Sequence, residues 1–208
     1  MLSAGAVAIT PHRVTGAVPD AQRRATTTLA DARDDRLEAC PTLMTATLDH
    51  PLAEQLAYYE ARAAEYDQWW LRQGRYDRGS EETARWFREA AELDAALDVF
   101  QPGGDILELA CGTGLRSGKL LAAADHLTVM DGSAEMLAIH AARFGPAKIE
   151  RLQADLFNWS PPRRFDVVYF GFWLSHVPPD RFADFWGLVE RALKPDGRFF
   201  FVDSRRTP

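Results

Sequence analysis

After the breaker Gln101-Pro102-Gly103-Gly104 the chain falls into short apolar runs that alternate with helical segments, and few folds accept that pattern. Strands are expected at Asp105–Ala110, Leu127–Met130, Ile149–Gln153, Phe165–Phe172 and Arg198–Val202. Between them, helices are expected at Leu115–Ala124, Ala134–Arg143 and Asp180–Leu193, with Lys194-Pro195-Asp196-Gly197 as a turn. Strands joined through helices run parallel with right-handed crossovers. The expected fold is therefore α/β, a doubly wound, mostly parallel sheet with helices on both faces. In such sheets ligands bind at the carboxyl ends of the strands, where the strand order reverses.

The preceding residues read differently. From Pro51 to Phe100 the spacing is helical: Leu52, Leu56, Tyr59, Ala63, Tyr66 and Trp70 recur at three- and four-residue steps, and Ser80 opens a second helix through Leu97. The expected division is a tail over 1–43, a helical cap over 44–100 and the sheet domain over 101–208. The tail shows no sustained apolar period and is expected to be disordered. Met44 is a natural start, so the tail is alternatively upstream read-through, which intact-mass measurement would settle.

With 47% apolar and 26% charged residues the chain can bury a core, and its net charge of −6 argues against nucleic acid as a partner. Cys40 and Cys111 alone cannot build a disulfide framework or a four-cysteine zinc site, and no metal is expected. The chain has no apolar run long enough to span a membrane, and the short stretch Ala4–Ile9, with no basic residue before it, makes a poor leader. The expected location is the cytoplasm.

Chemistry gathers at the strand ends. Glu108-Leu109-Ala110-Cys111-Gly112-Thr113-Gly114 closes the first strand, and its glycines allow a tight turn and close approach to a ligand at a helix start. Glu108 is an acid in a strand that should otherwise be apolar. A carboxylate there repels a pyrophosphate and attracts a ligand bearing sulfonium and ammonium groups, as S-adenosylmethionine does. Gly118 gives the spacing GxGxxxG rather than the dinucleotide GxGxxG. Asp131 ends the second strand, where it suits a ribose diol or, alternatively, a turn or helix cap before Ser133. Asp155 follows the third strand and can accept an adenine amine. Three acids at successive strand ends form a site more readily than three unrelated turns.

In order and spacing, ELACGTG, DGSAEML, QADLFNW, FDVVYFGFWLSHVP and VERALKPDGRFFFVD resemble the class I S-adenosylmethionine-dependent methyltransferases, with the closest look to the small-molecule, ubiquinone/menaquinone-biosynthesis-like group. The resemblance covers Gly104–Asp203 and the helix Tyr58–Asp67. It implies a Rossmann-like fold and S-adenosyl-L-methionine as cofactor. By position, Glu108, Gly112 and Gly114 would hold the methionine portion and Asp131 the ribose. Met136, Asp155 and Leu156 would surround the adenine, and Phe172 would line the methyl-donor side. Ala110 and Gly132, in the same two turns, also fall at cofactor-binding positions. Relatives use a helix like Tyr58–Asp67 as a lid, which would bring Tyr59, Arg62 and Tyr66 to the cofactor. Tyr59 fits core packing equally, whereas Arg62 on an apolar stripe wants an anion such as the methionine carboxylate. His176, past the fourth strand, is the candidate base, with a structural role as its alternative. Trp69-Trp70 would wall the acceptor pocket or simply pack. His126 and His140 are read as structural.

The resemblance also implies an antiparallel hairpin after the fifth strand, for which 204–208 leave no room. Phe199-Phe200-Phe201 would then stand on a bare edge. Either the chain is a truncated product, or a homodimer partner or another chain covers that edge, or the fold is shortened. The expected activity is methyl transfer to a small organic acceptor at O, N or C. Its rivals are an NAD(P)-dependent oxidoreductase and a truncated, non-catalytic cofactor binder.

Overall fold

The computed structural model describes residues 4–7, 57–146 and 148–204. The sequence expectations for Leu52, Leu56, Met44 and most of the tail lie outside the described residues. Six strands form one sheet: β1 (Ala4–Val7), β2 (Gly104–Leu109), β3 (Ala124–Asp131), β4 (Ile149–Gln153), β5 (Phe165–Gly171) and β6 (Leu193–Ser204), in the order β1-β6-β5-β2-β3-β4. β2 through β6 pair in parallel, as the alternating pattern requires. The chain winds outward from β2 to β4, then returns to the other side of β2 for β5 and β6, so the switch point lies between β2 and β5.

The central strands are covered on both faces, which is why they read as apolar runs. Ile106, Leu107 and Leu109 are 0% exposed, and Glu108, at 2%, is the buried polar residue among them. Side chains alternate between two cores. On one face Ile106, Val129, Val167 and Tyr169 meet helix α2 (Ser80–Phe100), with Leu120 of α3 (Ser117–Ala123) and Leu137 and Phe144 of α4 (Ala134–Phe144). On the other, Leu107, Leu109, Val168 and Phe170 meet Phe185, Leu188 and Val189 of α5 (Phe182–Ala192). Each such fully buried side chain is worth about 1.5–3 kcal/mol over exposure.

The long helix α2 buries Trp86, Ala90, Leu93, Leu97 and Phe100 along one stripe and ends where Gln101 turns left-handed (φ 52°) before Pro102. It runs one turn beyond the Leu97 end read from sequence. Ahead of it, residues 57–62 are helical, Ala63–Glu65 form a 3-10 turn and Tyr66–Trp70 form α1.

Two expectations change at β6. The turn Lys194-Pro195-Asp196-Gly197 does not precede the strand but interrupts it: Leu193 pairs with Phe165 and Arg198 with Val167, so those four residues bulge from the ladder. Nor is the edge of β6 bare. Ala4–Val7 lies antiparallel along it, Ala4 opposite Ser204 and Val7 opposite Phe201. Part of the segment expected to be disordered therefore supplies the edge cover expected from another chain, because an unpaired row of β6 amides and carbonyls favours any strand that can reach it.

Candidate functional site

The carboxyl ends of β2, β3 and β5 converge at the switch point. The turn after β2 is unusual in its backbone: Ala110 (φ 52°), Gly112 (φ 54°) and Gly114 (φ 85°) are all left-handed. At Gly114 no side chain fits, since a Cβ would stand 2.6 Å from Phe144 and 2.7 Å from His140. The turn is fastened to β3 by Asp131, whose Oδ2 accepts the Gly112 N–H at 2.8 Å while Oδ1 accepts the Ser133 N–H at 2.9 Å. The Gly132 N–H also favours the charged carboxylate, so three backbone donors engage it and about one acceptor position is left for a ligand. The cap of α4 is Ser133, whose hydroxyl accepts the Met136 N–H at 3.2 Å, so Asp131 is a turn acid rather than the helix cap. Gly132 accepts a hydrogen bond from Gln153 Nε2 at 3.4 Å, and Met136 is buried beneath.

Glu108 lies under the turn with Ser117 Oγ donating to its Oε2 at 2.5 Å. Burial pushes its carboxyl up to about 8 against the pull of that hydrogen bond. Burial likewise raises Asp131 above the usual carboxylate range, and pushes the Tyr66 phenol, beside Asp131 and Asp67, up to about 12.

The segment 57–76 folds over the turn. Thr113 donates to Asp67 Oδ1 at 2.6 Å and Arg143 pairs with the same carboxylate, tying α1 to the glycine turn and to α4. Tyr66 faces the Gly112 Cα, its ring 3.8 Å from where a Cβ would be. Tyr59 packs edge-on to Tyr66 (ring centroids 6.1 Å apart), and its hydroxyl lies 3.1 Å from His176 Nε2. Phe172 (φ 55°) is 5.8 Å from both Trp69 and Trp70, and its N–H donates to Val202 O at 2.6 Å. Two candidates turn away. Arg62 donates to the hydroxyls of Tyr58 (2.7 Å) and Tyr76 (2.9 Å). Asp155 closes its own loop, accepting the Phe157 N–H at 2.9 Å and the Asn158 amide at 2.5 Å, while Leu156 drops into the second core. Among the described residues no cluster of His, Cys, Asp or Glu could hold a metal.

Residues 106–197 match a methyltransferase domain family. The fold is similar to that of DhpI in complex with SAH: 41% identity over 76% of this chain and 71% of that one, with a TM-score of 0.63. A DhpI–SAM–HEP complex gives 42% identity, 77% and 68% coverage, and a TM-score of 0.62. This chain belongs to the class I S-adenosylmethionine-dependent methyltransferase superfamily. The chain is also 33% identical over 93 residues, or 43% of its length, to an uncharacterised methyltransferase of Mycobacterium tuberculosis H37Rv. It spans about half the length of the curated relatives it matches (47%). The sequence does not single out Ser117, Asp67 or Arg151, and His140 reads there as structural. The available signal was the inward helical face shared by Met136 and His140, one turn apart.

Proposed function

We propose that this methyltransferase moves a methyl group from S-adenosyl-L-methionine to a small organic acceptor at an O, N or C atom. The observation that carries the reading is the fastening of Gly112 to Asp131 across two strand tips, which sets a carboxylate beside a left-handed glycine turn. That donor set fits a ribose diol on a cationic nucleoside and disfavours a pyrophosphate. Asp131 and Gly132 would take the ribose; Ala110, Gly112 and Gly114, with Glu108 below, would border the methionine portion. Met136 would border the base, with Asp155 able to join it only if it left its own loop, and Phe172 would line the side from which the methyl leaves.

The bound sulfonium supplies an activated methyl carbon and a neutral thioether leaving group. The protein is left with positioning and exclusion of water. Trp69, Trp70 and Phe172 form an apolar wall suited to that task. Tyr59, Arg62 and Tyr66 lie on the overlying segment, where Arg62 would meet the methionine carboxylate once it left its tyrosine partners. His176 Nε2, at the Tyr59 hydroxyl, would accept a proton from acceptors that must lose one. Among the described residues no helix is long and apolar enough to cross a membrane, and we place the reaction in the cytoplasm.

Calorimetric titration tests the reading: S-adenosylhomocysteine should bind and NADH should not. Asp131→Ala should weaken that binding by about 2–4 kcal/mol through loss of charge-assisted hydrogen bonding. NADH binding in place of the thioether would overturn the assignment. HEP, which forms a complex with DhpI and SAM, is the first acceptor to try in a labelled-methyl assay.

A further inference from the structure

A continuous line of hydrogen bonds runs from β4 to Glu108. Arg151 Nε donates to His140 Nδ1 at 3.1 Å, His140 Nε2 lies 3.1 Å from Ser117 Oγ, and Ser117 donates to Glu108 Oε2 at 2.5 Å. His140 and Ser117 are 0% exposed and Glu108 2%. The proton positions follow from chemistry. A guanidinium has no acceptor, so His140 Nδ1 must be the bare nitrogen and Nε2 must carry the hydrogen. The ring then donates to Ser117 Oγ, which commits the single serine hydrogen to Glu108. Burial, with Arg151 and Arg143 nearby, pushes the imidazole down to about 4, so it stays neutral around pH 7. The same ring sets the closeness of the turn, since its Cδ2 occupies the space that a Cβ on Gly114 would need.

We propose that His140 and Ser117 are positioning residues which, polarised by Arg151, aim the Glu108 carboxyl at the donor site and favour its charged form. The proposal rests on the donor-binding reading above. Several groups face Glu108. Asp131 on β3 opposes its ionisation, Arg116 before α3 favours it, and Tyr169 on β5 and Cys111 in the turn are themselves driven upward partly by the Glu108 charge. Against burial, the Ser117 hydrogen bond is the largest favourable influence. A cationic donor arriving above the carboxyl meets a group already fixed in direction, and the fixing comes from residues that do not touch the donor.

Two measurements on the full chain test this. Without donor, nitrogen NMR should show His140 as the neutral Nε2–H tautomer at pH 7. Carbon NMR should show the Glu108 titration midpoint about one pH unit higher in Ser117→Ala than in the wild type. An Nδ1–H ring, or an unchanged midpoint, overturns the relay. With donor, Ser117→Ala and His140→Leu should each lose about tenfold in S-adenosylmethionine affinity at pH 7, and His140→Gln, which keeps an N–H, should regain most of it. Equal affinities in folded variants overturn the proposal and leave the methyltransferase reading intact. A wild type that binds neither S-adenosylmethionine nor S-adenosylhomocysteine overturns both.

Discussion

Glu108 makes the molecule sensitive to pH in a direction opposite to most carboxylates. Its folded value of about 8 lies above the ordinary 4.5, so between those limits the folded chain holds a proton that the unfolded chain has released. Stability from this group is complete below about 4.5 and is lost as pH rises through about 8. Urea midpoints should therefore fall between pH 5 and pH 8, and Glu108→Gln should flatten that slope; a slope unchanged in the variant would assign it elsewhere. A cation bound above the carboxyl should reverse the bias and expel the proton. The singular position of this acid was legible in the sequence, because a charge in an otherwise apolar strand demands a reason. Its partners were not: Ser117 and His140 meet only through the packing of α3 on α4, and nothing in their spacing announces it.

At the level of elements, the turn between β2 and α3 carries strain that single substitutions should expose. Ala110 occupies a left-handed conformation (φ 52°) that glycine adopts without cost. Ala110→Gly should stabilise the fold by up to about 1 kcal/mol, read as a higher denaturant midpoint. Gly114→Ala combines φ 85° with contacts of 2.6 and 2.7 Å, and should cost about 2–4 kcal/mol and weaken donor binding as the turn lifts from α4. Strands β2, β3 and β5 were visible in the sequence because burial on both faces leaves apolar runs. By contrast β4, at the sheet edge with only Ile149 buried, was read from its place in the alternation of strands and helices. The course of β6 was not visible, since Lys194-Pro195-Asp196-Gly197 has the composition of a free turn, yet the backbone bulges and rejoins the ladder with β5. β1 was invisible for another reason: Ala4-Gly5-Ala6-Val7 offers little side-chain signal and is held by main-chain pairing to an edge.

For the whole molecule, β1 is the guard on the one flank of the sheet where three consecutive phenylalanines would otherwise border open backbone. Removing residues 1–43 should leave donor affinity within about twofold, because the site lies at β2, β3 and β5. It should promote concentration-dependent association in light scattering, and a variant that stays monomeric at high concentration would show that β6 needs no guard. The pairing of Ala4 with Ser204 also bears on how the protein is made. A ribosome releases Ala4–Val7 well before their partner strand, so this rung cannot close until Phe201–Ser204 have emerged. Until then the nascent sheet waits with one side unsealed, and its capture by a neighbouring polypeptide on the same messenger becomes a matter of timing.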